Sequence, residues 1–330
     1  MRCKNVTIRS FIGWLLLGIL GFFLTTACGS PQGVTVSSPE QLTAECKVVQ
    51  HVLGETCIPA NPQRIVTLSI PTLGHALSLG VKPIASTYIN GDYVLPYLAD
   101  KVEGIDAVGS DRPNLERLLT LKPDLIVGLD WEESIYPLLS KIAPTVLDDW
   151  GGTENWRDHF SFVAEVLGKQ TEAQQAWDRY YQRIAELKSA LGIGAASPEE
   201  NRYSDKTISL IFVAPGAIFS EAKGSFPDSI LKDVGLQRPA AQDVVVPDTQ
   251  LQIGEEELEK VDGDILLIGG LTENDKDRLE ELKQKPLWQR LRAVQQNRVY
   301  VIDYMTWRGG NLLAADAVID DLFQYLVNTP

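Results

Sequence analysis

Seven side chains fall where an open α/β fold presents residues to a ligand: Tyr88, Arg112, Trp131, Trp150, Phe219, Trp307 and Arg308. Each follows a short apolar run that reads as a strand, and ligands in such sheets sit beyond the carboxyl ends of the strands. Trp, Tyr and Phe supply rigid apolar walls, and Arg supplies a planar fork of donors for oxygen anions. Together they suit a bulky, oxygen-rich, anionic ligand, with Arg112 and Arg308 expected to face each other across a cleft. Taken singly, each also reads as an ordinary surface arginine or a loop aromatic covering the core.

Residues for covalent or metal chemistry are sparse. The chain has 3 histidines, His51, His75 and His159, in separate segments. None has a second His or Cys at ligand spacing, so no metal site is expected. His75 reads as a capped surface histidine, with a place at the cleft as the alternative. There is no Gly-x-Ser-x-Gly elbow and no Gly-x-x-x-x-Gly-Lys phosphate loop. Glu255-Glu256-Glu257 reads as a solvated first helical turn. A carboxylate pair for glycoside hydrolysis has no fixed spacing in sequence. An exported hydrolase therefore stays open as an alternative, although the reading favoured is that the chain is not an enzyme.

The first thirty residues set the expected compartment. Arg2, Lys4 and Arg9 precede an apolar run from Phe11 to Leu24, which ends in Thr25-Thr26-Ala27-Cys28. The run is too short for the ~20 residues a spanning helix needs, and its flanks are those of a secretory signal. The small residues before Cys28 resemble a bacterial lipobox. That resemblance implies cleavage after residue 27 and lipidation of Cys28, giving a periplasmic protein anchored to the bacterial membrane. An unlipidated signal peptide and a single signal-anchor helix are the other readings. The chain carries 30 basic and 44 acidic residues. Removing the three basic residues of the signal leaves 27 − 44 = −17, a poor match for nucleic acid or an anionic membrane surface. Two cysteines then remain, Cys46 and Cys57, flanking a Gly54 turn, and in an oxidising compartment they are expected to form one disulfide across a small hairpin.

The elements that must position the seven residues follow from periodicity. Residues 61–169 alternate short Val/Ile/Leu runs with helical segments, the pattern of a mainly parallel sheet covered on both faces. The strands fall at 64–69, 81–87, 107–109, 124–128 and 145–147. One helix runs from Pro71 to Leu79 with Thr72 as its N-cap, and another spans 133–142. Residues 170–192 differ: Ala173, Ala176, Trp177, Tyr180, Ile184, Leu187 and Leu191 recur at three- and four-residue steps, which makes one long amphipathic helix. The α/β pattern restarts over 205–330, with strands at 207–213, 264–268 and 299–302 and helices at 229–234, 254–260 and 311–328. The expected fold is α/β, two doubly wound lobes joined by one long rigid helix, after a signal at 1–27 and a tether with a hairpin at 28–60.

An ordered set of segments then resembles one family. Asn61-Pro-Gln-Arg-Ile-Val-Thr-Leu-Ser69, Gly109 to Glu116 ending Pro-Asn-Leu-Glu, Leu121-Lys-Pro-Asp-Leu-Ile-Val127, Ile142-Ala-Pro-Thr145 and Trp288 to Val301 are similar to the ABC-transporter binding proteins for iron–siderophores, haem and cobalamin. The resemblance implies two lobes bridged by a helix, little hinge motion, and a monomer that delivers its cargo to an ABC permease. It also implies one docking glutamate per lobe, at Glu116 and at Glu256 or a neighbour in the 255–257 run. A ferric siderophore is the ligand expected, its iron carried within the chelate and no resident cofactor. Cobalamin or haem is the alternative, and haem would seek an axial ligand among His75, Tyr88 and Tyr304.

Overall fold

The computed structural model describes residues 46–89, 95–110, 112–195, 197, 201–214, 217–270 and 275–328. The signal, Cys28 and the tether lie outside the described residues. The described chain opens with a hairpin, β1 (Cys46–His51) and β2 (Gly54–Pro59), paired antiparallel. Gly54 turns it at φ +115°, a conformation that favours glycine. A disulfide joins Cys46 and Cys57, whose Cα atoms lie 5.6 Å apart. The hairpin is fastened to the lobe that follows: the Val52 amide donates to the Leu147 carbonyl at 3.0 Å, and Val49 and Ile58 are buried in the core.

The first lobe runs β3 (Ile65–Thr67), α1 (Ile70–Ser78), β4 (Ala85–Ser86), β5 (Asp106–Ala107), α2 (Leu115–Leu121), β6 (Leu125–Leu129), α3 (Tyr136–Leu139) and β7 (Thr145–Asp148). Its five strands pair in the order β5-β4-β3-β6-β7, all parallel. Near-continuous apolar runs such as Leu125–Leu129, buried at every position, are what a sheet covered on both faces requires. Two local expectations change. The cap of α1 is Ser69, whose Oγ accepts from the Thr72 amide at 3.1 Å, because Pro71 already lies inside the first turn. The helix expected over 133–142 is a 3-10 run, Asp130–Ile135, followed by the single turn of α3.

α4 (Trp156–Val166) leads into α5 (Gln170–Leu191), a helix of 22 residues. α5 buries Ala173, Ala176, Tyr180, Ile184, Leu187 and Leu191, the stripe read from periodicity, and ends at Gly192 in the left-handed conformation. The second lobe contains β8 (Ile208–Ala214), β9 (Ala217–Glu221), α6 (Phe226–Val234), β10 (Gln250–Ile253), β11 (Ile265–Gly270), α7 (Asp275–Lys283), α8 (Arg292–Gln295), β12 (Val299–Val301), α9 (Tyr304–Trp307) and α10 (Leu312–Leu322). Its strands order as β10-β9-β8-β11-β12. Here β8, β11 and β12 are parallel, but β9 runs antiparallel to both β8 and β10. The segment after β8, expected as a ligand-facing loop, is thus a strand of a mixed sheet. The helix expected over 254–260 is a 3-10 run, Glu255–Val261.

The lobes share one apolar core that takes in Ala76 of α1, Val127 of β6, Ile184 of α5, Phe212 of β8 and Ile319 of α10. α1 and α10 meet so closely that a Cβ on Gly74 would lie 2.3 Å from the Asn311 side chain. Asn311 caps α10 by accepting from the Ala314 amide at 3.0 Å, and its Nδ2 donates to Tyr97 Oη at 3.1 Å. Residues 45–330 form one compact unit, and so continuous a core resists large rotation of one lobe against the other.

Candidate functional site

Strand ends of both lobes converge on a cavity of about 370 Å³. The first lobe contributes Tyr88 after β4, Trp131 after β6 and Trp150 after β7, and the second contributes Tyr304 of α9 and Arg308, the residue that caps it. Four of the seven residues singled out from sequence, Tyr88, Trp131, Trp150 and Arg308, therefore line one cavity.

The aromatic wall is held from beneath. Trp131 is 52% exposed, while Trp150 is 6% exposed and meets it edge-on with ring centres 6.1 Å apart. Gly310 lies against Trp150: a Cβ there would fall 2.8 Å from Cη2, so the second lobe seats this indole only through a glycine. Below Trp150 the His159 ring packs edge-on at 5.5 Å. His159 Nδ1 contacts Asp148 Oδ2 at 2.8 Å, its Nε2 contacts Thr72 Oγ1 at 2.9 Å, and Thr72 Oγ1 contacts Ser69 Oγ at 2.7 Å. The carboxylate–imidazole–hydroxyl order matches a hydrolytic relay. Ser69 and Thr72 are fully enclosed, however, and no substrate carbonyl can reach them. The chain of bonds ties β7, α4 and α1 together and fixes Trp150.

His75 lies beside this relay, fully buried and not at the surface as expected. Its ring centre is 5.3 Å from that of His159 and 5.1 Å from that of Phe160. Burial first, and the neighbouring His159 second, hold its pKa well below the ordinary histidine value, so it is neutral. It is closed off from any ligand in the cavity.

Two features mark the cavity rim as specialised. Tyr88 adopts φ +61°, a left-handed backbone that costs a bulky residue ~1–3 kcal/mol, while its amide donates to the Gly109 carbonyl at 2.9 Å. Thr153 lines the cavity with its Oγ1 unpartnered among the described residues. On the opposite side, Arg308 Nη1 donates to Tyr304 Oη at 2.7 Å, and the Tyr304 ring packs edge-on against Phe212 at 4.6 Å. Behind Arg308 lies Glu221, fully buried, with Oε1 2.8 Å from Arg308 Nε. Gln250 Nε2 donates to the same oxygen at 3.2 Å. Burial pushes the Glu221 carboxyl up, and the Arg308 charge opposes that rise. Glu221 was missed in the sequence because residues after Val213 read as loop. The signal available was Pro215-Gly216, a turn dipeptide followed by a second strand-like run.

Three expected ligand residues stand elsewhere. Trp307 is fully buried, and its Nε1 donates to Asp321 Oδ2 at 2.7 Å. Trp307 is the last residue of α9 and packs toward Asp321 of α10, while Arg308, the cap that follows with φ −120° and ψ 13°, reaches the cavity. Phe219 lies within β9, opposite Phe212 and Gln252, and does not line the cavity. Arg112 is exposed on the tight turn that Gly109 makes at φ +121°, outside the cavity lining.

The docking candidates are both at the surface. Glu116 is exposed in the first turn of α2, behind the Asn114 cap. Within the acidic run, Glu255 pairs with Arg278 and Lys285, and Glu257 pairs with Lys260. Glu256 is the exposed member, with no ion pair among the described residues. Among those residues no cluster of three or more His, Cys, Asp or Glu is placed to hold a metal.

Comparison with known proteins agrees with this architecture. A family model described as periplasmic binding protein matches residues 66–305. The probable siderophore-binding lipoprotein YfiY of Bacillus subtilis is 29% identical, over 97% of this chain and 99% of its own length. The achromobactin-binding periplasmic protein of Dickeya dadantii is 30% identical over 79% of this chain and 85% of its own length. The crystal structure of Staphylococcus aureus SirA complexed with staphyloferrin B superposes with a TM-score of 0.73 at 27% identity, covering 85% of this chain and 98% of that one. With its two α/β lobes and the cavity between their strand ends, the chain belongs to the periplasmic binding protein family.

Proposed function

We propose that this chain captures a ferric siderophore outside the cytoplasm and delivers it to an ABC permease. The observation that carries the reading is the cavity itself: Trp131, Trp150, Tyr88 and Tyr304 form flat apolar walls, and Arg308 adds a guanidinium. A ferric chelate is large and apolar on its flanks and presents metal-bound oxygens, so it suits such a lining. Relatives support the class. Besides YfiY and the achromobactin-binding protein, an Fe(3+)-citrate-binding protein of Bacillus subtilis is 28% identical over 93% of this chain. The iron travels inside the chelate as cargo. Lipidation of Cys28 holds the protein at the membrane, and Glu116 and Glu256 dock on basic residues of the permease. The hydroxyl–imidazole–carboxylate chain at Ser69, Thr72, His159 and Asp148 serves Trp150 and does no hydrolysis.

Mass spectrometry of the ligand retained by protein purified from its native host tests the reading. A ferric chelate of siderophore mass is expected. Haem or a corrinoid in its place, ligated by Tyr88 or Tyr304, would overturn the ligand class.

A further inference from the structure

Arg308 is the only formally charged side chain among the described residues that line the cavity, and its charge is cancelled from behind. Glu221 is fully buried, so its carboxylate is poorly screened from the guanidinium 2.8 Å away. Among the described residues the other cation acting on Glu221 is Arg238, which has its own partner: Nη1 lies 3.6 Å from Asp228 Oδ1, and Nη2 donates to Gln242 Oε1 at 2.9 Å. Arg308, Glu221, Arg238 and Asp228 thus pair two basic with two acidic side chains. A polyanion entering here meets one cation that is already paired with a buried carboxyl group, in a chain of formal net charge −14.

We propose that Glu221 sets the charge selectivity of this cleft, so that it accepts ferric chelates that are neutral or singly negative and rejects polyanionic ones. The inference rests on the ferric-chelate reading above and narrows it. Three hydroxamates cancel the charge of ferric iron and leave a neutral complex, whereas three catecholates leave a trianion. The ligand class favoured is thus hydroxamate-rich, with at most one uncompensated carboxylate. Glu221 touches no ligand. It acts through Arg308, as a charge placed against one ligand class and not as a contact made to another.

Isothermal titration of the mature chain with a neutral ferric tris-hydroxamate and a trianionic ferric tris-catecholate tests the proposal. The wild type should prefer the neutral complex by about tenfold or more, and added salt should narrow that preference by screening the repulsion. In Glu221→Gln the trianion should gain about tenfold while the neutral complex stays within about threefold. Glu221→Asp, which keeps the charge, should retain the wild-type preference. A wild-type preference for the trianion would overturn the proposal, as would a preference that widens with salt or a ratio unchanged in folded Glu221→Gln. If Glu221→Gln does not fold, the wild-type ratio and its salt dependence decide. Failure of both chelates to bind would instead remove the ferric-chelate reading itself.

Discussion

Replacing Glu132 by Gln should stabilise the protein above neutral pH and do little near pH 4.5. Glu132 is 6% exposed, and its Oε2 accepts from the Leu129 amide at 3.1 Å. Burial, helped by the Asp130 charge and opposed by backbone amides, pushes its carboxyl from 4.5 up to about 7. The unfolded chain gives up this proton near 4.5 and the folded chain keeps it to about 7. Between those values the folded state binds more protons, so stability falls as pH rises through the window and the loss is complete above it. The rise corresponds to about 3 kcal/mol. Gln is neutral at every pH and keeps an acceptor for the Leu129 amide. Urea unfolding followed by circular dichroism at pH 4.5, 6 and 8 should show Glu132→Gln level with the wild type at the lowest pH, and ahead of it by up to about 3 kcal/mol at the highest. A difference that does not vary with pH, or a variant less stable at pH 8, would refute the argument.

Trp307→Ala should cost ~3–5 kcal/mol of stability by opening a core cavity and stranding Asp321, while the fraction that remains folded, separated by size exclusion, binds ligand with wild-type affinity. Arg112→Glu should leave ligand affinity within about twofold by titration, because that side chain lies outside the cavity. Cys46→Ser with Cys57→Ser should weaken the hairpin by ~2–3 kcal/mol, read as faster amide exchange in β1 and β2 without a change in ligand affinity.

The parallel parts of both lobes were legible because strands buried on both faces carry unbroken Val, Ile and Leu runs, as at Leu125–Leu129 and Ile265–Gly270. α5 was legible because an apolar stripe at helical spacing over 22 residues has no competing reading. β9 and β10 were not, since Ala-Ile-Phe-Ser-Glu and Gln-Leu-Gln-Ile mix polar and apolar residues in runs too short to separate from loop. α4 is preceded by Gly151-Gly152 and a 3-10 turn at Thr153–Asn155, and no helix is read there from the sequence. The site divided along the same line. Tyr88, Trp131 and Trp150 follow parallel strands, and their place at the strand ends carried over into space. Trp307 ends a single helical turn too short to show periodicity, Arg308 caps it, and only coordinates reveal that one points to the core and the other to the cavity. Glu221 has the residue type of any surface acid. Its role depends on Arg308, a partner distant in the chain and brought close by the β9 pairing that the sequence reading did not contain.

A ferric chelate is expected to occupy the cavity lined by Trp131 and Trp150. Tryptophan fluorescence titrated with ferric and iron-free forms of the same chelator tests it most directly, in the wild type and in Trp131→Phe. Saturable quenching by the ferric form at micromolar concentration or below is expected, with a clear loss of amplitude in Trp131→Phe. Absence of saturable quenching across hydroxamate, citrate and catecholate chelates would contradict the account, and so would quenching that Trp131→Phe leaves unchanged.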